Sequence, residues 1–166
     1  MKVYTKRGDQ GKTDLYKGGR VSKSDERVIA CGWLDMLSSE LGMARALLRD
    51  RKATKDLIMN IQKDLITIGA FVSSGGKTAF PTQRVREMEA VIDSVEAMLT
   101  PLKEFVLPGT NLMEAQLHRT RTVCRIAETK VVQANEDMGT DALLPAVTYL
   151  NRLSDLLFVL ARKESE

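Results

Sequence analysis

Five apolar stripes at helical spacing constrain this chain more than any other feature. Ala30, Leu34, Leu37, Leu41, Ala44 and Leu48 recur at intervals of three and four, and a helix turning about 100° per residue gathers them on one side. Ser22 with Asp25 three residues on is a variant capping box and starts this first helix. The second runs from Thr54 to Val72 with Ile58, Ile61, Leu65, Ile68 and Val72 as its stripe, and Ser73-Ser74-Gly75-Gly76-Lys77 ends it. Pro81-Thr82 opens the third, carrying Val85, Met88, Ile92, Val95 and Leu99, with its methionines read as core filler. Thr100-Pro101 breaks it, and Phe105-Val106-Leu107-Pro108-Gly109 is a short apolar connector that either packs down as a plug or lines a pocket. The fourth starts near Asn111, with Glu114 completing a second capping box, and reaches Ala134; Leu117, Val123, Cys124, Ala127 and Val131 form its apolar side. The fifth spans Pro145 to Arg162 with Leu150, Leu153, Leu157 and Leu160 inward. Short connections between such helices predict an all-α, five-helix up-and-down bundle. The chain of 166 residues reads as one domain, with residues 1–21 a non-helical segment and 22–164 the bundle.

Composition excludes several classes. Hydrophobic residues make up 43% and charged ones 28%, a normal globular mix. A net charge of +3 with the basic residues spread out, and 5% aromatics, argue against a nucleic-acid partner. Cys31, Cys124 and His118 are too few and too scattered for a zinc site, so no protein-held metal is expected. Without a signal-like start or an apolar run near the ~18–20 residues of a membrane span, the cytoplasm is the expected compartment.

The polar residues suggest where chemistry lies. Arg121, Arg125 and Glu128 fall within an arc of roughly 60° on the fourth helix. Two guanidinium forks beside a core face suit a polyanion or carboxylate. Spacing alone favours the plainer alternative, a solvated face with Arg125 and Glu128 paired across a turn. Asp35 has Cys31, Ser38 and Gly42 at helical spacing, so a neighbouring helix approaching these small residues would partly bury it; the alternative is an exposed carboxylate. On the fifth helix Asn151, Asp155, Phe158 and Arg162 share one arc, as a base- or ribose-recognition edge or as a subunit contact. Near the N-terminus, Gly8 and Gly11 give G-x-x-G-K-T rather than a P-loop, with a short strand expected around Val3-Tyr4. Glycine still lets backbone N–H groups approach an anion, and Lys6, Arg7 and Lys12 add charge; a flexible basic arm fits equally.

Five segments in order carry a resemblance. They are Tyr4-Thr5-Lys6-Arg7-Gly8-Asp9-Gln10-Gly11-Lys12-Thr13, Arg20-Val21-Ser22-Lys23, Phe105-Val106-Leu107-Pro108-Gly109, the stretch from Leu117 to Glu128, and the stretch from Tyr149 to Phe158. Together, over about residues 3 to 162, they resemble the ATP:cob(I)alamin adenosyltransferases of the propanediol-utilisation type. The resemblance implies a homotrimer with active sites at the subunit interfaces. It implies transfer of the 5′-deoxyadenosyl group of MgATP to cob(I)alamin, with triphosphate released.

By the same resemblance, Thr5, Lys6, Arg7, Gly8, Thr13, Asp14 and Lys23 surround ATP, joined by Arg125, Glu128 and Asn151 from the adjoining subunit. Asp35 and Arg121 match an ion pair needed for a competent site. Phe105 matches a hydrophobic residue below the corrin, and Phe158 is grouped with it for cobalamin. ATP, Mg2+ and cobalamin are the implied ligands, and a cobalamin reductase and B12-dependent enzymes the implied further partners. The chain departs from the family where Asp35-Met36-Leu37-Ser38-Ser39 replaces Asp-Glu-Leu-Asn-Ser and Pro108-Gly109-Thr110 replaces Pro-Gly-Gly. Met36 and Ser38 are the support for the alternative, a non-catalytic carrier of adenosylcobalamin or ATP on the same bundle.

Overall fold

The computed structural model describes residues 4–48 and 51–166. Its order is β1 (Lys12–Leu15), β2 (Gly19–Ser22), α1 (Glu26–Leu47), α2 (Lys52–Ser73), α3 (Gln83–Glu96), α4 (Leu112–Asp137) and α5 (Leu144–Ser165). All five expected helices form. The N-terminal segment, expected to be loop, contains an antiparallel hairpin in which Lys12 faces Ser22 and Leu15 faces Gly19. Tyr4 is irregular, and Val3 of the expected strand lies outside the described residues.

The hairpin moves the start of α1. Ser22 is spent on the β ladder, and its hydroxyl meets that of Ser24 at 2.8 Å. Asp25 caps the helix instead, accepting from Arg27 N at 3.0 Å while its carboxylate grips the Arg27 guanidinium at 3.0 and 2.8 Å. That bond to Arg27 holds the Asp25 carboxyl below the usual carboxylate range despite partial burial. The third helix stops at Glu96 rather than Leu99. Pro101 drives Thr100 out of helical geometry, and the last turn tightens into bonds from Met98 N to Val95 O (3.0 Å) and Leu99 N to Glu96 O (3.1 Å). The fourth and fifth helices each run one turn further than their stripes predict, to Asp137 and Ser165.

The expected apolar stripes are the core. Leu37 and Leu41 of α1, Ile58 and Ile68 of α2, Cys124 of α4, and Leu150, Leu153 and Leu157 of α5 are fully buried. The packing order is not that of a simple up-and-down meander. α1 lies against α2 and α4, and α5 against α4 and α3, so α3 packs on α5 instead of on its sequence neighbours. The connectors 74–82 and 97–111 supply the reach. Polar contacts set the α1–α4 register: buried Glu40 takes Gln116 Nε2 at 2.8 Å and Arg119 Nη2 at 2.8 Å. By length and hydropathy α5 would suffice to cross a membrane, but Leu150, Leu153, Leu156, Leu157 and Leu160 are committed to the bundle core.

Two glycines show how tightly the ends are fitted. Gly76 has φ +81°, and a Cβ there would meet Ala142 Cβ at 2.8 Å, so the end of α2 packs on the α4–α5 turn. A Cβ on Gly18 would stand 2.3 Å from the carbonyl oxygen of Ser73, so the hairpin turn docks directly on the C-terminus of α2.

Candidate active site

α4 and α5 present their polar arcs side by side. Asn151 Nδ2 donates to Glu128 Oε1 at 3.1 Å and ties the two helices together. The expected Arg125–Glu128 pair across a turn does not form, because Glu128 is turned toward Asn151. Arg125 is exposed, and among the described residues no carboxylate pairs with it.

Arg121 is held differently. Its Nε donates to His118 Nδ1 at 3.4 Å, and its guanidinium carbon lies 6.0 Å from the centroid of the Phe158 ring. His118 meets the same ring edge-on at 5.9 Å. Phe158 is therefore half-buried under Arg121 and His118.

Two recesses meet at Arg125. One, of about 560 Å³, has Arg121, Arg125, Arg152, Asp155 and Phe158 in its wall. The other, of about 440 Å³, has Arg125, Glu128, Lys130 and Asn151. The first also has an acidic side that sequence reasoning missed: Glu89, Asp93 and Glu96 of α3 line it at helical spacing. Glu89 and Asp155 engage Arg152 at 3.0 and 2.7 Å. The intervals of four and three were visible in the sequence, but nothing there said that α3 would pack on α5. This acidic side leaves the smaller recess as the better setting for a polyanion, where Arg125 and Lys130 face the single carboxylate Glu128.

The N-terminal set gathers around the hairpin. Lys6 has φ +60° at the start of a turn in which Asp9 N bonds Lys6 O at 3.3 Å. Asp14 is held by Arg7 at 2.9 Å and Arg20 at 3.2 Å, and Arg20 also donates to the Arg7 carbonyl at 2.6 Å. A Cβ on Gly8 would lie 3.1 Å from Lys23 Nζ, so that ammonium rests against the Gly8 backbone. Thr13 pairs with Val21 in the ladder, and Thr5 is exposed. Arg7, Gly8, Asp14 and Lys23 thus form one cluster, with Arg20 an additional member. Among the described residues no hydrogen bond or ion pair links it to Arg125, Glu128 or Asn151.

Asp35 is exposed, the alternative that its spacing left open. The small residues around it do admit a helix, since Cys31 Sγ reaches Gly69 O at 3.6 Å and Gln62 Nε2 reaches Ser38 O at 2.8 Å, but Asp35 lies at the edge of that contact with α2. It makes no ion pair with Arg121, which His118 and Phe158 hold instead. Phe105 is fully exposed beside a separate recess of about 520 Å³ shared with Leu107 and Arg162, so it is not brought together with Phe158. Neither cysteine is poised as a nucleophile. Burial pushes both thiols up, and Cys124 donates to the Leu150 carbonyl at 3.2 Å.

The family model described as cobalamin adenosyltransferase matches residues 3–164. A cobalamin adenosyltransferase of Cupriavidus metallidurans is 40% identical over 97% of the chain and 86% of its own length. The corrinoid adenosyltransferase PduO of Citrobacter freundii is 36% identical over 99% of the chain, which spans only 50% of that relative. A variant PduO-type ATP:corrinoid adenosyltransferase from Lactobacillus reuteri, complexed with cobalamin and ATP, superposes with a TM-score of 0.90 at 29% identity, covering 99% of this chain and 91% of that one.

Proposed function

The chain belongs to the cobalamin adenosyltransferase family, and from that premise we propose that it transfers the 5′-deoxyadenosyl group of ATP to cob(I)alamin, giving adenosylcobalamin and triphosphate. Cobalt(I) attacks C5′; the cobalt–carbon bond forms as the C5′–O bond breaks, and triphosphate departs with the electron pair. The nucleophile is the substrate's own metal, so the protein needs no activated serine or cysteine. It has to align ATP for in-line attack and stabilise charge on the leaving triphosphate.

The observation that carries this reading is Arg125: a guanidinium without an ion-pair partner among the described residues, at the junction of two recesses, beside a joined Glu128–Asn151 pair. Arg125 takes the triphosphate, while Glu128 and Asn151 hold the nucleoside. Thr5, Lys6, Arg7, Gly8, Thr13, Asp14 and Lys23 complete the ATP site from the hairpin of a neighbouring copy in a homotrimer. That no hydrogen bond or ion pair among the described residues joins the two sets supports an interface site. Phe105, fully exposed on its connector, offers the apolar surface below the corrin. Among the described residues no three histidine, cysteine, aspartate or glutamate side chains converge on a metal position. Magnesium, in this reading, enters bound to the ATP phosphates. The cytoplasm is the proposed compartment, with a cobalamin reductase upstream and B12-dependent enzymes downstream.

The test is direct: purified protein with MgATP and reduced cobalamin under anaerobic conditions forms adenosylcobalamin, followed by its spectrum. Binding of ATP and cobalamin with no turnover would select the carrier alternative.

Among the described residues Asp35 and Arg121 each lack an ion-pair partner, and we assign them to each other across the subunit interface. A double-mutant cycle on kcat/KM is expected to give a coupling of about 1–3 kcal/mol for Asp35 with Arg121 and near zero for Asp35 with Arg125. Equal coupling to both arginines would refute the assignment.

A further inference from the structure

Beneath Arg121 lies a buried polar chain that the reaction as proposed does not use. Glu114 is fully buried. Its Oε2 accepts from Gly109 N at 2.8 Å and Thr110 N at 3.1 Å, reaching past its own helix cap to pin the end of the connector that carries Phe105. Its Oε1 lies 3.1 Å from Nε2 of His118, which is itself 3% exposed. The alignment of that contact is poor, but neither atom has another polar partner among the described residues. A buried carboxylate oxygen and a buried ring nitrogen at that distance pair by a small rotation of the ring, since leaving both unpaired is costly. On its other side, His118 Nδ1 accepts from Arg121 Nε.

The bond from Arg121 defines the tautomer, and Glu114 Oε1 lies 3.1 Å from the nitrogen left to carry the proton. Nδ1 accepts, so the imidazole proton sits on Nε2 and points at Glu114. Burial pushes the His118 pKa down, more than counteracting the pull of Glu114, and Arg121 lowers it further; the ring is neutral, as a lone pair on Nδ1 requires.

We propose that Glu114 and His118 are positioning residues: Glu114 fixes the Nε2–H tautomer of His118, and the free Nδ1 lone pair then sets the guanidinium of Arg121 over Phe158. The same carboxylate clamps Gly109 and Thr110, so the connector and Arg121 share one buried anchor. The consequence for turnover rests on the adenosyltransferase reading; the tautomer does not.

Two isosteric replacements separate the arms of the ring. In His118→Asn the side-chain oxygen stands where Nδ1 stands and still accepts from Arg121. In His118→Gln the side-chain amide reaches toward Glu114 but offers Arg121 no acceptor at that position. Glu114→Gln can turn an N–H toward Nε2, which moves the ring proton to Nδ1 and sets it against the Arg121 donor.

His118 is the only histidine of the chain, so 15N NMR of the histidine-labelled full-length protein reads its tautomer without interference. The wild type is expected as Nε2–H, and Glu114→Gln as Nδ1–H or a mixture. In steady-state assays with MgATP and cob(I)alamin, His118→Asn is expected to keep kcat within about threefold, while His118→Gln and Glu114→Gln lose about tenfold, a difference of roughly 1.4 kcal/mol. A purely structural role would lower stability in both histidine variants and leave no Asn-over-Gln split. An Nδ1–H tautomer in the wild type, or equal kcat for His118→Asn and His118→Gln, overturns the proposal. A wild type with the Nε2–H tautomer and no turnover would sink the enzymatic reading and leave the tautomer assignment standing.

Discussion

Arg125→Ala is expected to abolish adenosyl transfer and leave the bundle intact. The side chain is exposed, and no carboxylate among the described residues pairs with it, so its removal leaves no buried charge behind and thermal stability should shift by no more than about 0.5 kcal/mol. In the proposed reaction it faces the triphosphate, where negative charge grows as the C5′–O bond breaks. Loss of one such donor costs about 3 kcal/mol of transition-state stabilisation, or 10²–10³ in kcat. Arg125→Lys should fall between, because it keeps the charge and loses the two-pronged geometry. Rates of adenosylcobalamin formation and a melting curve on the same preparations check both halves. Turnover within about threefold of wild type in Arg125→Ala would remove Arg125 from the site.

The second large effect lies far from the arginines in sequence. Gly18 does not have a positive φ, so alanine fits its backbone, but the added Cβ would stand 2.3 Å from the Ser73 carbonyl oxygen. That oxygen belongs to the last turn of α2 and cannot move away as a flexible side chain would. The hairpin turn must lift off, and with it the cluster of Arg7, Gly8, Asp14 and Lys23. If the docked population falls to about a tenth, the apparent affinity for ATP falls about tenfold. Gly18→Ala should therefore raise the KM for ATP about tenfold with a much smaller change in kcat, and expose the hairpin to limited proteolysis. The helices, whose core is elsewhere, should melt almost as before. An unchanged KM for ATP would show that docking of the hairpin on α2 does not support the nucleotide site.

The helices were readable in the sequence because their signal is local and repeated. Six residues from Ala30 to Leu48 all point inward, and all six are buried. The hairpin was not readable in the same way. Its strands have four residues each, and their inward positions are only partly covered, so the alternation of apolar and polar residues is faint. Its docking partner, a backbone carbonyl on α2, has no signature in composition at all.

At the site, Arg125, Glu128 and Asn151 were readable because helical spacing puts each on a polar arc, and α4 and α5 pack side by side. The acidic side formed by Glu89, Asp93 and Glu96 depended on α3 crossing to α5, a tertiary choice that spacing within one helix cannot express. Glu114 was read as half of a capping box. Asn111 does cap α4, accepting from Glu114 N at 3.0 Å, but the Glu114 carboxylate goes instead to Gly109, Thr110 and His118. A pattern of residues fixed the helix start and left the longer reach of the side chain open.

The Glu40 contacts between α1 and α4 bear on how the chain assembles during synthesis. The α1–α2 pair is synthesised before α4, so the side of α1 that will receive α4 stays open until Asp137 has emerged. Glu40 stands on that side, hydrated while it waits. Once α4 closes over it, it is 5% exposed and is matched by Gln116 and Arg119. A docking slipped by one turn would bury the same carboxylate without them, at a cost of several kcal/mol. A carboxylate so placed would penalise misaligned closure of α4 on α1 before the last helix seals the core.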